Sequence, residues 1–127
     1  MTTPAPMRVD EGIVIAKNPD ASRYELRDGD RVIGFAHYSD RNGELAFDHT
    51  VVGKEYGGRG LATRLAEYAF ADVRSMGRTL VPMCSFIEAW ARKHPEYDDI
   101  VVWGGADGQE RHERAAEGGA AEAASGR

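Results

Sequence analysis

Two Asx-Gly dipeptides, Asp28-Gly29 and Asn42-Gly43, each stand between a pair of short apolar segments, and that arrangement fixes most of what the chain can do. Asp, Asn and Gly reach the positive φ angles of a tight two-residue turn at little steric cost, so the flanking segments are predicted to fold back as β-hairpins. Ile13-Val-Ile-Ala16 is an apolar run stopped by Asn18-Pro19-Asp20, and Arg23 to Arg27 alternates with Tyr24 and Leu26 on one face. Arg31 to Tyr38, with Val32, Ile33, Phe35 and Ala36, is apolar on both faces, as in a central strand. Glu44 to Val52 alternates, with Leu45, Phe47, His49 and Val51 on one face and Glu44, Asp48 and Thr50 on the other. The expectation is an antiparallel meander of four strands, with His49 on the apolar face of the last.

The period changes at Gly60. From there to Ser75, at 100° per residue, Leu61, Ala62, Leu65, Ala66, Ala69, Val73 and Met76 share a face opposite Thr63, Arg64, Glu67 and Arg74. Asp72 falls on the apolar side, where composition gives no reason for it. Gly77 closes this helix as a left-handed cap. Arg78 to Met83 is a fifth strand, which a helical connection lets run parallel to the fourth. Ser85-Phe-Ile-Glu88 has the spacing of a capping box, which predicts Ser85 as the N-cap of a second helix. His94-Pro95 closes that helix, and Ile100 to Trp103 reads as a short last strand or a packed extension. The fold class is α/β (α+β), a curved mixed sheet with two helices, in one domain over residues 11–103. Residues 1–10 read as a loose lead-in. Residues 104–127, rich in Gly, Ala and Glu, lack the apolar content to pack and read as a disordered tail.

Net charge is −5, of which −2 sits on residues 104–127 and −3 on the remainder. A mildly acidic body lacks the basic footprint of a nucleic-acid binder. No run approaches the roughly 18 apolar residues of a membrane span. The lone cysteine, Cys84, cannot form an internal disulfide and reads as a reduced thiol, which with no secretory segment indicates a cytoplasmic protein. His37 and His112 have no partners at metal-ligand spacing, so no metal is expected. Phe86, Trp90 and His94 recur at helical spacing as a core stripe, and Trp103 closes the core.

Tyr56-Gly57-Gly58-Arg59-Gly60-Leu61-Ala62 lies between strand and helix. Glycines let a backbone approach a ligand, and a helix start directs free N–H groups and positive dipole at an anion. The plainer alternative is a strand-to-helix connection. The Gly-Lys-Ser/Thr ending of a nucleotide-triphosphate loop is missing, as is the dinucleotide G-x-G-x-x-G spacing. Cys84 reads either as a packed thiol or as a nucleophile whose thiolate the helix start stabilises. His49 reads either as a hydrogen-bonded core residue or as a proton acceptor.

With the glycine loop go His49-Thr-Val-Val52 before it, Pro82-Met-Cys84 after the helix, and His94-Pro-Glu-Tyr97. Together these four segments, over about residues 11–103, resemble a compact branch of the GNAT N-acetyltransferases. Gly60 and Ala62 match the last two positions of that superfamily's Arg/Gln-x-x-Gly-x-Gly/Ala loop, and Gly57 replaces its Arg or Gln. The resemblance implies acetyl-coenzyme A as donor, with its pantetheine arm between the splayed fourth and fifth strands against the backbone of Val51 and Val52. It implies that Gly57, Gly58, Arg59, Gly60, Leu61, Ala62 and Thr63 surround the pyrophosphate, and that Ser85 also borders the cofactor. Catalysis would rest on Cys84 and His49, by direct attack of an amine or through an acetyl-cysteine. One or two of Lys54, Arg64, Arg92 and Lys93 would meet the 3′-phosphate. The acceptor is an amine, on a small molecule, a protein lysine or an N-terminus. A monomer is expected. The alternatives are a non-catalytic acyl-coenzyme A binding or sensing module, and an interaction domain in which the loop is only a connection.

Overall fold

The computed structural model describes residues 3–103. Six strands form one sheet in sequential order: β1 (Met7–Asp10), β2 (Ile13–Asn18), β3 (Arg23–Asp28), β4 (Arg31–Arg41), β5 (Glu44–Val52) and β6 (Thr79–Pro82). β1 to β5 pair antiparallel, and β6 runs parallel to β5. The hairpin turns fall where the Asx-Gly pairs place them, with positive φ at Gly29, Asn42 and Gly43. The meander is one strand longer than expected. Residues 7–10, read as part of a loose lead-in, form an edge strand because Met7 and Val9 pack against the core. The tail of residues 104–127, and His112 within it, lies outside the described residues.

Helix α1 (Leu61–Ser75) links β5 to β6, and helix α2 (Ser85–Arg92) follows β6. A further parallel bridge, Leu80 to Val101, gives Ile100–Trp103 the role of a short extension on the outer side of β6. Both parallel connections step the same way across the sheet. Right-handed crossovers then put both helices on one face, and Phe70 of α1 meets Trp90 of α2 at 4.6 Å between ring centres. The core lies between that face and the helices. Ile13, Ile15, Tyr24, Leu26, Leu45 and Phe47 meet Leu61, Leu65, Ala69, Phe70 and Val73 there. Each large apolar side chain so buried contributes on the order of 1.5–3 kcal/mol.

Asp72, the polar residue on the apolar side of α1, has a specific role. Its Oδ2 accepts from Lys17 Nζ of β2 at 2.8 Å and from the Tyr24 hydroxyl of β3 at 2.7 Å. It is a polar clamp that fixes α1 over the sheet. Burial and this carboxylate push the Tyr24 hydroxyl far above its ordinary range, so it remains a donor. The stripe Phe86, Trp90 and His94 is structural. Trp90 is buried, the His94 ring stacks on it at 3.6 Å, and His94 Nδ1 bonds the Trp90 carbonyl at 2.8 Å.

Candidate active site

The glycine loop ends at Gly60, which holds the N-cap of α1 at φ 73° and ψ 16°, and no side chain among the described residues caps the helix. Only a residue without Cβ takes that left-handed conformation freely. The first amides of α1 are therefore left to an outside acceptor. Gly57, Gly58, Arg59, Gly60 and Thr63 are exposed, Ala62 is half-buried, and Leu61 is buried as the first core residue of the helix. Arg59 is not a loose cation. Its Nε and Nη2 donate to Asp10 Oδ2 at 3.1 and 2.8 Å, and its guanidinium lies 5.5 Å from the centre of the Tyr56 ring. This pairing holds the Asp10 carboxyl below its usual range. Tyr56 is buried under the loop and donates to Asp28 Oδ2 at 2.7 Å.

Beside the loop, the sheet opens. β5 and β6 are paired from Glu44–Thr79 to Phe47–Pro82, and Met83 N–H makes the last cross-strand bond, to the Phe47 carbonyl at 3.0 Å. Pro82 brings no N–H to the ladder. β5 runs on to Val52 while the chain after β6 turns away into α2. The Gly53 N–H donates to the Ile33 carbonyl of β4 at 2.8 Å. Alternation along the strand then directs the backbone of Val52 and Thr50 into the gap. Val51 and Met83, 48% and 51% exposed, rim it.

The last stretch of β5 departs from simple alternation. His37 pairs with His49, but Tyr38 pairs with Phe47, so Asp48 is an extra residue in β5, a β-bulge. Asp48 is tied back to β4: Oδ1 meets His37 Nδ1 at 2.8 Å, and Oδ2 accepts from the Ser39 hydroxyl at 3.3 Å. Burial raises the Asp48 pKa, but the His37 and Ser39 contacts outweigh it and the net shift is downward. Beyond the bulge the faces exchange. Val52 packs on the core side with Leu45 and Phe47, whereas His49 and Val51 are exposed on the helix-free face. His49 is thus not on the apolar face, which corrects the sequence expectation.

The bulge also decides what meets Cys84. Thr50, not His49, turns to the helix side, and Cys84 Sγ lies 3.6 Å from Thr50 Oγ1. The structure brings Cys84 to the gap but does not pair it with His49, which makes no side-chain hydrogen bond among the described residues. Cys84 is itself the N-cap of α2, in extended conformation at φ −102° and ψ 138°, and its carbonyl accepts from Glu88 N–H at 2.9 Å. The capping box is therefore not formed. Ser85 is the first helical residue, and Glu88 pairs with Arg92 at 2.9 Å. Thr50, Asp48 and Asp10 were not legible as site residues. Among the described residues no group of three or more His, Cys, Asp or Glu could hold a metal ion, and no helix is long and apolar enough to cross a membrane.

Comparison with known proteins agrees with this geometry. The family model described as GCN5-related N-acetyl-transferase matches residues 23–100, which spans β3 to Ile100, just before the last described residues. Among solved structures, a GCN5-like protein of Staphylococcus aureus determined by NMR is similar at a TM-score of 0.58. It shares 23% sequence identity, with 71% of this chain and 88% of that one covered, so the likeness concerns the fold. No curated protein matches. A glycine loop at an uncapped helix start, set beside two parallel strands that part, and a family model covering more than half of the sequence establish that the chain belongs to the GCN5-related N-acetyltransferases.

Proposed function

We propose that this domain transfers an acetyl group from acetyl-coenzyme A to a primary amine. One observation carries the reading: the β5–β6 gap opens beside the uncapped start of α1, so an anion site and an unpaired strand edge adjoin. The residues fit the donor. The amides of Leu61, Ala62 and Thr63 suit its pyrophosphate, and the Thr50 and Val52 backbone groups facing the gap suit the amides of its pantetheine arm. When bound, the donor supplies an activated thioester carbonyl in the gap.

The chain's own groups then divide by face. On the helix-free face His49 is placed to take the proton from an amine nitrogen as that nitrogen attacks the acyl carbon. Backbone N–H groups along the gap hold the carbonyl oxygen as negative charge develops on it. On the helix face the Cys84 thiol donates to the Thr50 hydroxyl oxygen, which fixes the direction of the sulfur. Because the bulge separates His49 from Cys84, direct attack by the amine is the route this geometry favours. An acetyl-cysteine would need another proton acceptor for the thiol. The single cysteine suits a reducing compartment such as the cytoplasm.

Mass spectrometry after incubation with acetyl-coenzyme A, under native and then denaturing conditions, tests the reading. A native complex and acetylation of an added amine, lost in His49→Ala but kept in Cys84→Ala, is the expected outcome. A covalent acetyl group on Cys84 that chases into amine would establish the cysteine route instead, and Thr50→Val should then slow its formation. A native complex without turnover of any amine would leave a sensing module. Absence of a complex at millimolar donor would refute the proposal.

A further inference from the structure

With both helices on one side, the other face of the sheet carries no helix among the described residues, and its side chains are not those of a neglected surface. Cross-strand register sorts them: Arg8 opposes Val14, which opposes Arg27; Ala16 opposes Glu25, which opposes Phe35; Arg23 opposes His37, which opposes His49. Directly opposed residues share a face. Glu25 is 1% exposed, on a face where Arg8, His49 and Val51 are exposed and Arg23, Arg27, Phe35 and His37 are half-buried. Its Oε2 accepts from Arg23 Nε at 2.7 Å and Asn18 Nδ2 at 3.0 Å, and its Oε1 from Arg27 Nε and Nη2 at 2.9 and 2.7 Å. Arg23 also lies 4.8 Å from the centre of the Phe35 ring. Two guanidinium groups are thereby held in fixed directions by one buried carboxylate. Their remaining N–H groups have no acceptor among the described residues. With Arg8, which is exposed and makes no hydrogen bond among the described residues, the β1–β3 part of this face carries three positive charges against one buried negative charge, on a chain of net charge −5.

We propose that this face is the acceptor platform, and that its acceptor is an acidic polypeptide segment carrying the reactive amine. The inference rests on the acetyltransferase reading and extends it to substrate class. The amine sits at His49 between Val51 and Met83, and carboxylates of the same segment sit on Arg23, Arg27 and Arg8. The face is broad and open, which suits an extended chain better than a small molecule, since small ligands are held in concave pockets. Arg23 stands two strands from His49, about 10 Å at the usual strand spacing. A carboxylate roughly three residues along an extended chain from the amine-bearing residue would reach it. Preorganised guanidinium groups favour carboxylates, for which their planar fork is matched.

The test uses the full chain, isotopically labelled for amide NMR, and three synthetic lysine peptides whose flanking residues are Asp/Glu, Gln or Arg. Amide shifts on β1–β5 in the presence of the Asp/Glu peptide, weakening as salt is raised, are the expected binding result. In thiol-release assays with acetyl-coenzyme A that peptide should show a KM at least about tenfold below the Gln peptide, equivalent to about 1.4 kcal/mol. Arg8→Gln, which breaks no hydrogen bond among the described residues, and Arg27→Gln should each reduce that preference. Equal KM values, or preference for the Arg peptide, would overturn the proposal even where turnover is normal. An oligonucleotide of equal charge giving the same shifts would assign the face to nucleic acid and overturn it too. If acetyl-coenzyme A fails to shift the α1 amides while the acidic peptide still shifts the sheet face, the enzymatic reading fails and the acceptor role with it, leaving only a docking surface.

Discussion

Asp72 is the residue whose removal should be felt most. Its carboxylate is buried, with Lys17 Nζ and the Tyr24 hydroxyl both on Oδ2. The Lys17 ammonium is also buried, 9% exposed at the side chain, and lies 3.4 Å from Met76 Sδ. Asp72→Ala would leave that ammonium without a counter-ion and the tyrosine hydroxyl without an acceptor. Breaking a buried pair from one side costs about 3–5 kcal/mol, against about 0–1 kcal/mol for an exposed pair. For a domain of this size that lowers Tm by at least about 12 °C. The double variant Lys17→Met, Asp72→Leu removes both charges and should recover most of the loss. The Tyr24 hydroxyl would still lack a partner, at about 1–3 kcal/mol, and adding Tyr24→Phe should remove that residue of the cost. Urea unfolding followed by the fluorescence of Trp90 and Trp103 measures each variant, with an unchanged m-value required for the comparison. A loss below about 1 kcal/mol in Asp72→Ala, or a double variant no better than the single one, would refute the clamp.

Two further outcomes follow from residues that hold the sheet together. Burial acts to raise the Glu25 pKa, but its bonds to Arg23, Asn18 and Arg27 prevail and the folded value lies below the ordinary carboxylate range. Its contribution to stability is therefore complete above the unfolded pKa of about 4.3 and lost as pH falls through the lower folded value. Glu25→Gln should be less stable at neutral pH and lose less on acidification than the wild type, as thermal melts between pH 7 and 3 would show. An acid profile parallel to the wild type would count against the network. At Gly34 a Cβ would stand 2.7 Å from the Val51 carbonyl oxygen and 3.0 Å from Leu26 Cδ1. Gly34→Ala must push β5 away from β4 at a cost of about 1–3 kcal/mol. Because the displaced backbone is that of Val51 and Val52, donor affinity measured by calorimetry should fall with it. Wild-type Tm and affinity together would show that the close approach is unimportant.

The parts of the fold that local chemistry determines were legible. Asx-Gly pairs gave both hairpins, and the change of period at Gly60 gave α1. What depends on partners distant in sequence was not. Asp72 looks misplaced until Lys17 and Tyr24, 55 and 48 residues away, are brought to it. β1 is too short to announce itself and exists because β2 offers an edge and Met7 and Val9 a place in the core. Ser85 and Glu88 have capping-box spacing, yet the turn begins at Cys84 because the last β6 bond, from Met83 N–H, leaves that residue extended at the helix entrance.

His49 is the instructive case, because its face could have been argued differently from the same letters. Counting forward from Leu45 by twos reaches Phe47, His49 and Val51. Counting back from Val52 by twos reaches Thr50 and Asp48, and the two registers disagree by one. Both ends of β5 need an apolar residue on the helix side, Leu45 and Phe47 at one end and Val52 at the other, so an odd separation between Phe47 and Val52 requires one extra residue. The polar stretch Asp48-His49-Thr50 is where that residue fits, since a bulge leaves backbone and side chain unpaired with the core. Asp48 then bonds His37 and Ser39 and holds the extra residue in place. The consequence is chemical. One inserted residue sends the imidazole of His49 to the open face and the hydroxyl of Thr50 to Cys84, so an imidazole and a thiol flank the gap from opposite sides.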